Sequence, residues 1–168
     1  PYKEKKKTKA TEAIALGLEP LAKMMMTFPE NGDINSLCSK FINDKVPTVD
    51  KAVEGACFII AKWISDNAYY RKWIRSYFYR NGVVISSKKK TAEDENSIYE
   101  MYYDYNEAVK YIKPHRILAL NRGEKEKVLN VSIDVNKDEI IAYLEKKIIK
   151  NDKSFVTKYI KDSILDSY

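Results

Sequence analysis

The stretch Thr48-Val49-Asp50-Lys51-Ala52-Val53-Glu54-Gly55-Ala56-Cys57-Phe58-Ile59-Ile60-Ala61-Lys62-Trp63-Ile64 decides the fold. Val49, Ala52, Val53, Ala56, Ile59, Ile60, Trp63 and Ile64 recur at steps of three and four. That spacing gathers them into one wide apolar stripe, the mark of a helix with a buried face. Thr48 stands just before the stripe, where a hydroxyl oxygen can accept an early backbone N–H and cap the helix. Cys57 falls at the edge of the stripe, where a free thiol behaves as a small hydrophobe.

The pattern extends in both directions. Upstream, Thr8 caps a short helix to about Leu16, and Gly17 suits the left-handed position after its end. Pro20 opens a second helix to about Phe28. Asp33 caps a third, with Ile34, Leu37, Cys38, Phe41 and Ile42 inward. Downstream, a fifth helix spans about Ala68 to Arg80, with Tyr70, Trp73, Ile74, Tyr77 and Phe78 inward, and Asn81-Gly82 ends it. Val83 to Ser86 reads as a short strand and Ser87 to Asn96 as a polar loop. Ile98 to Tyr105 leans helical, and Glu107 to Ile112 reads as a short helix. Pro114 starts another that Gly123 closes. Val128 to Val135 alternates as a strand does, and could pair with the first strand. Asn136 and Glu139 resemble a capping box before a helix to about Lys150. A last helix covers about Ser154 to Tyr168.

Composition agrees. Five glycines and five prolines in 168 residues disfavour a loop-rich or all-β design. Hydrophobic content of 45% and charged content of 32% are those of a folded domain. Two cysteines and one histidine cannot assemble a four-ligand zinc site, and the scattered thiols point to a reducing cytoplasm. No apolar run approaches membrane-spanning length. The chain opens on Pro1 and stops inside a helical pattern, as a fragment of a longer protein would. The expected class is therefore mainly α, multihelical, with a helix-turn-helix-like segment and a small two-stranded β element. The expected division is a helical region over 1–92 and a second helical region over 93–168 carrying one strand.

Charge is segregated. The net charge is +6, yet Asn67 to Ala92 holds no acid and seven bases: Arg71, Lys72, Arg75, Arg80, Lys88, Lys89 and Lys90. Glu93 to Glu107 then holds six acids and no base. Interspersed signs would be the ordinary surface pattern. A helix, the turn Ser65-Asp66-Asn67, a basic helix and a basic β loop make the layout of a winged helix-turn-helix, whose helix meets a groove while the loop touches phosphate. Two other readings of the helix stand beside this one. It is a core helix with a solvated basic face that pairs with the acids after it, or it is a protein interface. The lysines Lys3, Lys5, Lys6, Lys7 and Lys9 form a second basic arm. Tyr99, Tyr102, Tyr103 and Tyr105, interleaved with Glu100 and Asp104, read as core and interface residues.

Catalytic signals are missing. His115 follows Pro114 with no serine or cysteine nucleophile in a recognisable motif, and no glycine-rich phosphate loop exists. It reads as a capping or packing histidine. No catalytic residue, metal ligand or cofactor is expected.

Two segments are distinctive: Gly17-Leu18-Glu19-Pro20-Leu21-Ala22, and Pro114-His115-Arg116-Ile117-Leu118-Ala119-Leu120-Asn121-Arg122-Gly123-Glu124. With Tyr103-Asp104-Tyr105, the opening Pro1-Tyr2-Lys3, Thr8-Lys9-Ala10, Ala52 to Ile64 and Asp66 to Arg75, they resemble the Tex-type transcription accessory proteins over nearly the whole chain. The resemblance implies the amino-terminal helical region of a multidomain cytoplasmic bacterial protein that affects transcription. Full-length members add a nuclease-like domain, helix-hairpin-helix modules and an S1 RNA-binding domain, none visible here. Glu4 stands where the family's opening has proline, and Ser86 to Asn96 matches no family pattern. The lysines there rest on charge alone. In the second motif Pro114 fixes a first turn, Ile117, Leu118 and Leu120 pack, and Arg116 and Arg122 are placed to pair with Asp104 or Glu124.

The sequence thus predicts a non-catalytic module that binds RNA or DNA weakly and without sequence preference. The alternative is a scaffold that braces downstream domains or docks on transcription machinery. No membrane contact is expected.

Overall fold

The computed structural model describes residues 8–168. The basic arm expected at Lys3, Lys5, Lys6 and Lys7 lies outside them. Eight α-helices and a three-stranded sheet are present among the described residues, so the class is mainly α. The chain divides into two compact units, one of Pro1–Arg71 with Asp138–Tyr168 and one of Lys72–Lys137. The boundary expected near residue 92 falls inside the second unit.

The first unit is built around the helix that the apolar stripe predicts. It contains α1 (Lys9–Ala15), α2 (Glu19–Met25), α3 (Ile34–Cys38) and α4 (Val49–Asp66), then the start of α5 (Ala68–Asn81). It closes with α7 (Lys137–Ile148) and α8 (Thr157–Ser167). Thr48 Oγ1 accepts from the Lys51 N–H at 3.2 Å, as a cap should. The α4 stripe buries Ala52, Val53, Ala56, Ile59, Ile60 and Ile64, and α1, α2, α3 and α8 pack on that helix. Gly55 admits the closest approach. A Cβ there would stand 2.3 Å from Leu18 Cδ1 and 3.3 Å from Ala13 Cβ. Gly17 takes φ +80°, the left-handed turn that closes α1.

The second unit holds the sheet. The strands are β1 (Val83–Lys88), β2 (Asp104–Ala108) and β3 (Leu129–Asp134), and α6 (Pro114–Lys125) packs on β3. β1 is central and pairs antiparallel with both neighbours, Ser86 facing Tyr105 on one side and Val131 on the other. Alternation puts Val84 and Ser86 on the covered face and Ile85 and Ser87 on the open one. The core comprises Val84, Tyr99, Tyr102, Leu120, Val128 and Leu129, so the tyrosine-rich stretch is core, as expected.

Five expectations need correction. Of the α6 residues expected to pack, Leu120 is buried but Ile117 and Leu118 are exposed. The β element has three strands, not two, because Asp104–Ala108 is a strand where helices were expected on either side. Tyr105 and Glu107 sit two residues apart on its covered face, an alternation that the interleaved acids obscured. Gly123 does not end α6. It lies inside the helix because Leu129 and Tyr99 press on its bare Cα, with Leu129 Cδ1 only 2.4 Å from where a Cβ would be. The turn Ser65-Asp66-Asn67 is not three residues, since α4 runs through Asp66 and Asn67 alone joins it to α5. Arg116 pairs with Glu107 and Arg122 with Glu126, rather than with Asp104 or Glu124.

Candidate nucleic-acid interface

Asn67 starts α5. Its Oδ1 accepts from the Tyr69 and Tyr70 N–H groups at 3.0 and 3.1 Å, satisfying two donors of the first turn. Tyr77 is the buried anchor of the helix, and Trp73 stacks on it with ring centres 5.3 Å apart. Tyr70, Ile74 and Phe78 are only half-buried, so the inward face is shallower than the pattern suggested.

The opposite face is basic. By the 3.6-residue period Lys72, Arg75 and Tyr79 share its middle, with Arg71 and Arg80 toward its two edges. All four bases are exposed. Arg80 Nε touches only the Ser76 carbonyl, at 3.4 Å. Two aromatic rings missed by the sequence reading stand beside them, Tyr69 82% and Tyr79 57% exposed. Their signal was available, since both fall off the apolar stripe while lying within one turn of a base.

Gly82 links the helix to β1. Its N–H donates to the Phe78 carbonyl at 2.8 Å, and a Cβ there would meet that same oxygen at 2.4 Å. β1 then carries the chain away. Six residues at 3.3 Å each place the lysine loop about 20 Å from the end of α5. The seven bases therefore form two patches, a helix ridge and a loop.

The three lysines of the loop are not equivalent. Lys88 ends β1 half-buried, with its ammonium 5.8 Å from the centre of the Tyr103 ring. Lys89 is half-buried too, and its N–H donates to the Val128 carbonyl at 2.9 Å. Lys90 is exposed. Asp94 folds the loop back on itself. Its carboxylate accepts from the Tyr99 N–H at 2.8 Å and the Tyr103 hydroxyl at 2.7 Å. These bonds hold the Asp94 carboxyl below its ordinary range, the backbone N–H of Tyr99 contributing most.

One further acid of the run is occupied elsewhere. Glu107 accepts from Tyr105 and from Arg116. Among the described residues none of the seven bases has a carboxylate within ion-pair distance. An ion pair between Arg71 or Arg75 and the acids of 93–107 is thus not the arrangement found. Glu93 and Glu95 are exposed. His115 is exposed in the first turn of α6. Among the described residues no cluster of metal-ligating side chains occurs, and no helix is long and apolar enough to cross a membrane.

Comparison with known proteins places this architecture. Residues 30–162 match the family described as Tex central region-like. YdcI of Bacillus subtilis is 46% identical over 171 residues, covering 100% of this chain and 24% of that protein. The transcriptional accessory protein Tex of Neisseria gonorrhoeae is 28% identical over 83% of this chain and 18% of its own length. Human S1 RNA-binding domain-containing protein 1 is 32% identical over 83% of this chain and 15% of its own length. The chain spans a quarter or less of each of these relatives, and with the family match extending from the segment before α3 into α8 it belongs to the Tex family.

Proposed function

We propose that this chain is a non-catalytic module of a transcription accessory protein that grips nucleic acid through the ridge Arg71, Lys72, Arg75 and Arg80 and the loop Lys88, Lys89 and Lys90. The observation that carries the reading is that none of these bases has a carboxylate within ion-pair distance, while two acids of the following run, Asp94 and Glu107, bond to tyrosines and Arg116 instead. Cations without carboxylate partners are free to displace counterions from phosphate. The loop lies about 20 Å along β1 from the Arg80 end of the ridge, which suits two contacts along one backbone. Tyr69 and Tyr79 add rings on which unpaired bases can stack. Binding through unpaired cations to phosphate is weak and sequence-independent, with a dissociation constant of roughly 10⁻⁴ to 10⁻⁶ M. The names of the relatives, one a transcriptional accessory protein and one containing an S1 RNA-binding domain, support the same setting. That setting is cytoplasmic.

The test is fluorescence anisotropy of labelled single- and double-stranded DNA and RNA over a salt series. Replacing Lys88, Lys89 and Lys90 together by alanine should weaken binding and flatten its salt dependence. Identical binding by the triple variant would remove the loop from the interface. Hydrolysis of any substrate by the chain would overturn the non-catalytic reading.

A scaffold role is the second reading, favoured by Ile117 and Leu118 on α6, 42% and 69% exposed. Apolar side chains in that position suit docking to another domain of the longer protein. Absence of nucleic-acid binding even at low salt would favour it.

A further inference from the structure

The first unit carries a groove of opposite character to the basic ridge. It lies between α4 and α8, has a volume of about 340 Å³, and is lined by Asp50, Val53, Glu54, Phe58, Asp162 and Asp166 among others. Its floor is apolar, with Val53 buried and Cys57, Phe58 and Tyr159 half-buried. Its banks are acidic. Asp50 and Glu54 stand one turn apart on α4, and Asp162 and Asp166 one turn apart on α8. All four are exposed, and among the described residues none has a cation within ion-pair distance.

The floor already attracts ammonium groups. The Lys9 Nζ sits 5.0 Å from the centre of the Phe58 ring, and the Lys158 Nζ sits 5.0 Å from the centre of the Tyr159 ring. Neither lysine lines the groove, and neither lies within ion-pair distance of its carboxylates. In a chain of net charge +6, an uncompensated acidic groove over an apolar floor is out of keeping with the rest of the surface.

We propose that this groove docks a basic amphipathic helix of a partner protein. Each bank repeats its carboxylate at one helical turn, which is the interval between residues i and i+4 of a helix laid along the groove. Lysines or arginines at that interval meet the banks, and the apolar side chains between them enter the floor against Val53, Phe58 and Tyr159. This is the helix-in-groove mode of recognition, with area supplied by the floor and orientation by the charges. Nucleic acid is excluded by the sign of the banks.

The whole chain is used for the test. The probe is a fluorescein-labelled helical peptide of leucine and lysine with leucines at steps of three and four. A scrambled peptide of the same composition carries the same charge without the apolar face. The expected result is preferential binding of the helical peptide, weakened about tenfold or more when Asp50→Asn, Glu54→Gln, Asp162→Asn and Asp166→Asn are combined. Equal binding of the scrambled peptide, or equal binding by the neutralised variant, overturns the proposal. A readout on the unaltered chain guards against a variant that misfolds. Cys57 is half-buried in the groove and Cys38 is fully buried elsewhere. Bound peptide should slow alkylation of Cys57 by N-ethylmaleimide severalfold, and an unchanged rate at saturating peptide overturns the proposal. Self-association of the chain that blocks the groove before peptide is added would make the occupant a second copy and overturn it likewise.

Discussion

The Arg116 guanidinium lies 3.1 Å from the Glu107 carboxylate and fastens α6 to the edge strand β2. The same Nη1 donates to the Tyr105 hydroxyl at 3.0 Å, while Tyr105 itself donates to Glu107. One cation thus holds two groups that share a face of β2. Arg116→Ala should lower the thermal midpoint of the second unit and raise hydrogen exchange in β2. Arg116→Lys should rescue it only in part, since an ammonium keeps the charge but not the planar guanidinium that lies 5.9 Å from the centre of the Tyr105 ring. Amide exchange in β2 that is unchanged in the alanine variant would contradict this.

Acid and alkali should both loosen the second unit. Glu107 and Glu126 titrate below the ordinary 4.5, chiefly because Tyr105 and Tyr99 donate to them. A lowered folded-state pKa gives stability that is present above the unfolded value and lost as pH falls through the folded one. Tyr99, Tyr103 and Tyr105 titrate above the ordinary 10.0. Glu126 and Asp94 are the main causes for the first two, and burial for the third. A raised folded-state pKa gives stability that is complete below pH 10 and lost as pH rises through the folded value. Denaturant midpoints followed across pH should therefore show a plateau with a fall below about pH 4.5 and another above about pH 10. Tyr99→Phe removes the bond that chiefly lowers Glu126, so it should lower the plateau and shrink the acid limb.

The tight glycines set a different test. Gly123→Ala drives a methyl into Leu129 and Tyr99, and should cost about 1–3 kcal/mol as an overpacked core does. Gly82→Ala meets the Phe78 carbonyl, which is backbone and yields less readily, so it should be the more damaging of the two. Urea denaturation of the two variants ranks them directly.

Thr48→Ala removes the cap of α4 and should cost about 1 kcal/mol. Ile59→Ala, at a position with no exposure, should cost about 2–5 kcal/mol. Calorimetry of the pair separates the two contributions to the same helix.

The helices were legible where periodicity and caps agreed. Thr8, Asp33 and Thr48 each accept a backbone N–H from three residues on, as their position before an apolar run implied. Helix α5 was legible as an element but not in its depth, because Trp73 and Tyr77 stack on each other instead of both entering a core. Strand β2 was hidden because its covered face carries Tyr105 and Glu107, a polar pair that hydrophobic alternation does not register. The bases of the interface could be read from charge alone. Lys88 and Lys89 could not be told from Lys90, since their partial burial depends on pairing with Tyr103 and Val128 across the sheet.

Phosphate binding by the α5 ridge and by the exposed lysine of the loop has a direct signature in salt dependence. The quantity to measure is the slope of log K against log salt for a labelled duplex. It is taken for the parent chain and for the variant Lys72→Ala, Arg75→Ala, Lys90→Ala. The parent should give a steep slope, and the variant a slope shallower by about one for each phosphate it no longer neutralises. Equal slopes for the two would contradict phosphate binding at these residues.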